Sequence, residues 1–320
     1  MSRIQSRFPS LFVAAMLTGA LGLRAQEAPD PVGELLTPDE AAHRWVDTDG
    51  KPLPFETEDQ LLEFLKTADV VSDKTITSGG VTMPRKMVLE KNGVRTDAIF
   101  RAVDEDKMQG NTGGGRNDLF FRDCYIFEPA AFELSRMLGM DNVPPATLRK
   151  VQNVKGSIQV WLEKAMTEED RVKKNLKPPN DQQWQKQLQI MNVFDELVFN
   201  TDRNKGNILI DPNWKLWLID HTRAFRRIPD LMKPSVLNMC ERNLYHNLKA
   251  LDETAARERL KDYLTSYELD ALFTRRKMIV DRYAKLIADK GESKVLYTWV
   301  ETPAPAAPAA AAKSAAPSSN

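Results

Sequence analysis

The chain is poor in metal-binding and redox side chains, with two cysteines (Cys124, Cys240) and three histidines (His43, His221, His246) in 320 residues. That is too few for a zinc site built on four cysteines, and no HExxH or CxxC spacing occurs. A carboxylate-held metal remains open to the chain. Excess charge is also missing, because 45 Lys and Arg balance 45 Asp and Glu. Nothing then steers the chain onto a phosphate backbone, and nucleic acid is not expected as a partner. Gly113-Gly114-Gly115 lacks a following Lys-Ser/Thr, which excludes a Walker phosphate loop, and no internal repeat recurs at a fixed period. What is present, 42% hydrophobic and 28% charged residues, is enough for a buried core.

The two ends differ from the middle. Arg3 and Arg7 precede an apolar stretch, Leu11 to Leu23, and Ala25 follows as a small residue before a cut. This is the pattern of an export signal over residues 1–25, and the stretch falls short of the about 20 apolar residues a membrane helix needs. The expectation is an exported, periplasmic or secreted protein with no stable transmembrane span after signal removal. Outside the cytoplasm a disulfide between Cys124 and Cys240 is conceivable. Residues 301–320 are mostly Ala, Pro and Ser, too little apolar surface to offset ordering entropy, so a disordered tail is expected.

Between the ends the hydrophobic period alternates. An N-terminal segment, residues 26–70, contains a short helix over Glu56 to Leu65, with Leu61, Leu62 and Leu65 on one side. Val81 to Leu89 and Ala98 to Val103 flank Lys91-Asn92-Gly93, a hairpin signal that predicts antiparallel strands. Gln109 to Asn117 reads as a glycine-rich surface insertion. A helix from near Glu128 runs through Ala131, Leu134 and Leu138 to Gly139. Ser157 to Glu163 alternates like a half-buried strand, and Trp184, Leu188, Met191, Phe194 and Val198 form one helical stripe ending near Asn200. Ile208 to Ile210 and Trp214 to Ile219 flank Asp211-Pro212-Asn213 as a hairpin, and a capping box, Thr265-x-x-Glu268, opens a helix that stops at Gly291.

Chemistry concentrates between Phe194 and Phe225. Asp202 follows the helix, Asn207 comes five residues later, and Asp220 ends the second strand of the hairpin. A tight hairpin returns the chain to its start, so Asn207 and Asp220 converge with Asp202 beside them. Such oxygen donors suit Mg²⁺ or Mn²⁺ shared with phosphates. Phosphoryl transfer needs this: a positioned nucleophile and neutralised phosphate charge. Singly, each residue has a plainer reading: Asp202 paired with Arg203, Asn207 in a turn beside Gly206, Asp220 paired with Arg223 or Arg226. Together they favour catalysis, because Asp220 ends the apolar run Leu216-Trp217-Leu218-Ile219, where a carboxylate without a cation is costly. Ser78-Gly79-Gly80 is able to bring backbone amides to a phosphate.

Helix, Asp202-xxxx-Asn207, hairpin and Asp220-His221-Thr222, in this order, resemble the atypical kinases: the phosphoinositide 3/4-kinases, the HipA-like bacterial kinases and the secretory-pathway Golgi casein kinase family. Upstream, Glu128-Pro129-Ala130-Ala131-Phe132-Glu133-Leu134, Leu138-Gly139-Met140 and Val143-Pro144-Pro145 are similar to the helix and following segment of the secretory kinases and their bacterial relatives. The similarity covers about Ser78 to Phe225. It implies an α+β, two-lobed protein-kinase-like fold: a small antiparallel β lobe with one helix (residues 71–165) that binds nucleotide, and a larger, mainly helical catalytic lobe (residues 166–295). It further implies an ATP-dependent phosphotransferase acting on a hydroxyl, with Asp202 catalytic and Asn207 and Asp220 on the metal. Arg101, Glu128, Gly79 and Gly80 would serve the phosphates, and Glu163 and Ala165 the adenine at the interlobe link. The acceptor, whether protein, lipid or small molecule, is not identified. Two departures support the alternative of a pseudokinase that binds nucleotide or regulates a partner. Arg101 stands where the family usually has its phosphate-binding lysine. Pro129 suits the first turn of a helix, which would make Glu128 an N-cap rather than an inward-pointing group.

Overall fold

Asn92 and Gly93 take left-handed backbone angles (φ +52° and +78°), as a two-residue hairpin turn requires. They join β2 (Arg85–Lys91) to β3 (Val94–Arg101) in register from Arg85↔Phe100 to Lys91↔Val94. The computed structural model describes residues 45–77, 83–111 and 117–299. The export signal, the terminal tail, Gly79 and Gly80 lie outside the described residues.

The main sheet is antiparallel and five-stranded, in the order β1 (Asp69–Thr75), β2, β3, β7 (Val154–Val160), β6 (Ala146–Val151). Alternate residues Met87, Leu89, Ala98 and Phe100 are fully or almost fully buried and share one apolar cluster with Leu61, Phe64 and Leu65 of α1 (Glu58–Thr67). Each such side chain contributes about 1.5–3 kcal/mol by leaving water. Strand β7 departs from the half-buried expectation: Gly156 through Val160 are all buried, Ser157 and Gln159 included. Both faces are covered because β7 is an inner strand between β3 and β6 and its polar face turns towards the site. Gly156 is required there, since a Cβ would lie 2.3 Å from the Arg101 carbonyl oxygen and 2.4 Å from the Phe100 ring.

Among the described residues, strands β4 (Asp104–Asn111) and β5 (Asn117–Cys124) pair only with each other, from Asp104↔Cys124 to Asn111↔Asn117. Of the segment read as a glycine-rich insertion, residues 109–111 and 117 are strand residues of this ribbon, and 112–116 lie outside the described residues. The ribbon's base is fixed to the site by the Cys124 amide, which donates to the Thr222 carbonyl at 2.8 Å. The disulfide considered for Cys124 and Cys240 does not form; both thiols are buried and free. Cys124 contacts Asp104 Oδ1 at 3.1 Å, and burial pushes its thiol up to about 12.

A second apolar cluster joins α2 (Phe127–Met137) to the helical half of the chain. Between them, β8 (Met166–Thr167) and α3 (Glu168–Lys173) lead into α4 (Asp181–Val198), which buries Trp184, Met191, Phe194 and Val198 as the stripe predicts. Phe199, with φ +51°, ends α4. β9 (Ile208–Ile210) and β10 (Leu216–Leu218) form the expected hairpin, with β8 along β9. α5 (Arg242–Ala250), α6 (Glu253–Leu260) and α7 (Ser266–Lys290) complete the cluster, α7 opening on the full Thr265/Glu268 capping box. Between α4 and α5, β11 (Cys240–Glu241) pairs in parallel with β12 (Leu296–Tyr297), which follows α7. No described helix is long and apolar enough to cross a membrane.

Candidate phosphate and metal site

The site is assembled from three chain segments: the end of β3, the first turn of α2, and the loops that flank the β9–β10 hairpin. Arg101 closes β3 and is 4% exposed; Glu128 is the second residue of α2 and fully buried. The N-cap expectation for Glu128 is wrong. Ile126 occupies that position without a side-chain cap bond, and Pro129 sits third in the helix, where a missing N–H costs nothing. Glu128 is therefore free to point inward. Its Oε1 accepts the His221 main-chain N–H at 2.8 Å, and its Oε2 accepts Gln159 Nε2 at 3.3 Å.

Arg101 lies between two carboxylates without bonding either. Its Nε is 3.8 Å from Glu128 Oε1 and 3.7 Å from Asp220 Oδ1, beyond hydrogen-bond distance. Both Nε and Nη1 are buried with no hydrogen-bond partner. Burial would raise Glu128, but the Arg101 charge and the His221 contacts outweigh it and hold the carboxyl at about 2. Asp220 goes the other way: burial prevails over Arg101, Glu128 adds repulsion, and its carboxyl is raised. Two carboxylates face a single guanidinium, so the cluster has negative charge to spare for a further cation. Asp220 itself holds a left-handed φ of +59°, a strained geometry for a residue with a side chain.

The catalytic-loop candidates gather as the hairpin argument predicts. Asn207 Nδ2 donates to the Asp202 carbonyl at 2.9 Å, and the Asn207 carbonyl accepts the Ile219 amide at 3.3 Å, one residue before Asp220. Asp202 does not pair with Arg203. Its carboxylate is 3.5 Å from Arg223 Nη1, and Arg223 in turn donates to buried Asp123 at 2.7 Å. Arg203 instead binds Asp195 through Nε at 3.0 Å, donates to the Ile219 carbonyl at 2.8 Å, and also bonds the Asn207 carbonyl. Asp220 Oδ1 lies 3.7 Å from Arg101 Nε and accepts from Thr222 Oγ1 at 3.1 Å.

Glu163 and Ala165 are partly exposed in the link before β8. Glu163 lines a separate cleft of about 370 Å³ with Trp45, Asp47, Trp161, Asp211 and Trp217. Burial raises its carboxyl despite nearby Lys86. None of those cleft residues belongs to the Arg101–Asp220 cluster.

Metal fits the cluster as a shared ion. Among the described residues no three His, Cys, Asp or Glu side chains gather to hold a cation alone. One carboxylate and one amide are the donor set of an ion that takes its remaining ligands from phosphate and water.

By sequence, the chain matches no protein-family model and no curated protein. By structure, it is similar to hydra Fam20 solved with sugar: TM-score 0.59, 16% identity, covering 81% of this chain and 97% of that one. A Golgi casein kinase gives TM-score 0.56 at 15% identity over 80% and 79% of the two chains. The same kind of kinase with Mn/ADP bound gives 0.52 at 16% identity over 77% and 80%. The fold is that of an atypical kinase.

Within this kinase fold, sequence reading missed the residues that hold the site together: Gln159, Asp195, Arg203, His221 and the Asp123–Arg223 pair. A signal existed for Gln159, a polar residue between Ile158 and Val160 in an apolar strand. Asp195 was similarly visible beside Phe194 in the apolar stripe of α4. His221 and Arg223 sit within the motif but show no pattern of their own.

Proposed function

We propose that this chain is an ATP-dependent phosphotransferase of the atypical kinase type, using Mg²⁺ or Mn²⁺ and acting on a hydroxyl acceptor. The observation that carries the reading is Arg101, a buried guanidinium with unmet donors aimed between two carboxylates. A buried cation of this kind is costly unless a ligand completes its bonds, and phosphate oxygens match its geometry. Asn207 and Asp220 would hold the metal, whose charge would offset that of the phosphates. Arg101, facing Glu128, would bind phosphate oxygens, and Gly79 and Gly80 would offer main-chain amides to them. Asp202 orients the acceptor hydroxyl and takes its proton as the oxygen bonds to the γ-phosphorus and ADP leaves. The adenine lies against the link at Glu163 and Ala165. In this reading residues 71–165 are the nucleotide lobe and 166–295 the catalytic lobe. Residues 1–25 act as an export signal, so the enzyme works in the periplasm or outside the cell.

A specific contact favours the second reading, a nucleotide-binding module without turnover: Arg223 already engages the Asp202 carboxylate. Transfer of label from γ-labelled ATP to the protein itself, to generic proteins or to small hydroxyl compounds separates the two. Transfer that disappears in Asp202→Ala supports the enzyme. Metal-dependent ATP binding without transfer supports the module, and no binding at all removes both.

A further inference from the structure

Arg223 lies in a loop that is held from two sides. The Ala224 amide donates to the His221 carbonyl at 2.9 Å, closing a tight turn over residues 221–224. The Thr222 carbonyl accepts the Cys124 amide at 2.8 Å, and the Arg223 carbonyl accepts Thr201 Oγ1 at 3.2 Å. The loop is thereby fixed to the base of the β4–β5 ribbon on one side and to the residue before Asp202 on the other.

The Arg223 guanidinium has a fixed root and an open end. Its Nε donates to Asp123 Oδ2 at 2.7 Å, and Asp123 is buried. Its Nη1 faces Asp202, 3.5 Å from Oδ2, longer than a normal hydrogen bond. Asp123, Asp202 and Asp220 together outweigh burial and hold the group more firmly charged. Of the three arginines of the site it is the most accessible: its side chain is 22% exposed, against 4% for Arg101 and 8% for Arg203. Arg203 spends its donors on Asp195 and two carbonyls, whereas Arg223 keeps part of its fork for a ligand.

Arg101 and Arg223 mark two ends of a path. Arg101 stands at Asp220, the metal end, and Arg223 at Asp202, where an acceptor hydroxyl would lie. In phosphoryl transfer the phosphorus that moves is next to the attacking oxygen, and the phosphates that stay lie behind it. A nucleotide bound with that polarity brings its terminal phosphate against the open nitrogens of Arg223. Phosphate oxygens match a guanidinium fork better than a single carboxylate oxygen at 3.5 Å does.

We propose that Arg223 is the ligand of the terminal phosphate of ATP and that it discriminates ATP from ADP. This rests on the reading of the Arg101–Asp220 cluster as a nucleotide phosphate site. On binding, Nη1 passes from the Asp202 carboxylate to the γ-phosphate oxygens, which leaves Asp202 free for the acceptor hydroxyl.

The affinities of the purified full chain for ATP and for ADP, each with Mn²⁺ and measured by calorimetry, test this. Arg223→Gln still donates to Asp123 but lacks the charge and the fork. It is expected to weaken ATP about tenfold, the worth of a charge-assisted hydrogen bond, and to leave ADP within about twofold. Arg101→Ala should weaken both nucleotides. Melting temperatures without nucleotide show whether each variant folds. Should Arg223→Gln fail to, Arg223→Lys, which keeps the charge but not the fork, replaces it, with ATP weakened about threefold and ADP unchanged. A purely structural role for Arg223 would weaken ATP and ADP alike; that result, or unchanged ATP affinity, overturns the proposal. The premise fails separately. Wild-type protein that binds neither nucleotide, or Arg101→Ala that binds both as tightly as the wild type, overturns the phosphate reading and the role of Arg223 with it.

Discussion

Two arginines of the site, Arg101 and Arg203, are treated in opposite ways. Arg203 has carboxylate, carbonyl and imidazole partners around its guanidinium: Asp195, Asn207, Ile219 and His221. Arg101 is the more deeply buried of the two, yet two of its nitrogens bond nothing and its carboxylates stand off at 3.7 and 3.8 Å. A saturated buried charge stiffens the structure around it; an unsaturated one stores a desolvation cost that a ligand relieves. The contrast distinguishes scaffold from site where burial and residue type do not.

The sharpest use of that contrast is on function. Asp202→Asn should lower phosphoryl transfer by on the order of 10³-fold, as loss of a general base does, while ATP binding stays near wild type. Rates and affinities measured on one preparation check it, and a parallel loss of binding would place Asp202 with the scaffold. Next, Arg203→Ala should destabilise the nucleotide-free protein by about 3–5 kcal/mol, because Asp195 is left as an unpaired buried carboxylate. Urea unfolding measures this, and a change below about 1 kcal/mol would erase the distinction between the arginines. Arg101→Ala should shift the balance: a smaller loss of stability without ligand than in Arg203→Ala, because Glu128 keeps the Gln159 and His221 N–H donors, but about 10–100-fold weaker ATP.

The smallest expected effect is acidic. Glu128 is held down at about 2 by Arg101 and His221 against the cost of burial, so it binds protons less readily folded than unfolded. Its contribution to stability is complete above the unfolded carboxylate range near pH 4.5 and is lost as the pH falls towards 2. Unfolding midpoints between those values should decline less steeply in Glu128→Gln than in the wild type. An identical slope would mean that Arg101 and His221 do not hold this carboxylate.

Much of the fold was legible because local rules and tertiary structure agree. Asn92-Gly93 made its hairpin, the Trp184-to-Val198 stripe made α4, and Thr265 with Glu268 capped α7. Where they disagree, a partner distant in sequence decided. Residues 157 and 159 read as the wet face of a strand, and inner-strand placement between β3 and β6 buried them. Pro129 suggested an N-cap at Glu128, but the helix starts two residues earlier, after Ile126. β1, β6 and the β4–β5 ribbon carry weak or interrupted alternation and gave no clear signal of their own.

The chain's order of residues was enough to nominate Asp202, Asn207 and Asp220, because a helix, a short loop and a tight hairpin leave few ways to arrange three nearby oxygens. It also excluded a four-cysteine zinc site and a Walker loop, since both demand residues that are not there. It did not reveal that Arg203 belongs to Asp195, that Arg223 belongs to Asp123 and Asp202, or that Arg101 is left waiting between two acids. Ion-pair choice depends on which charges share a low-dielectric space, and that is set only when segments between eight and a hundred positions apart pack together.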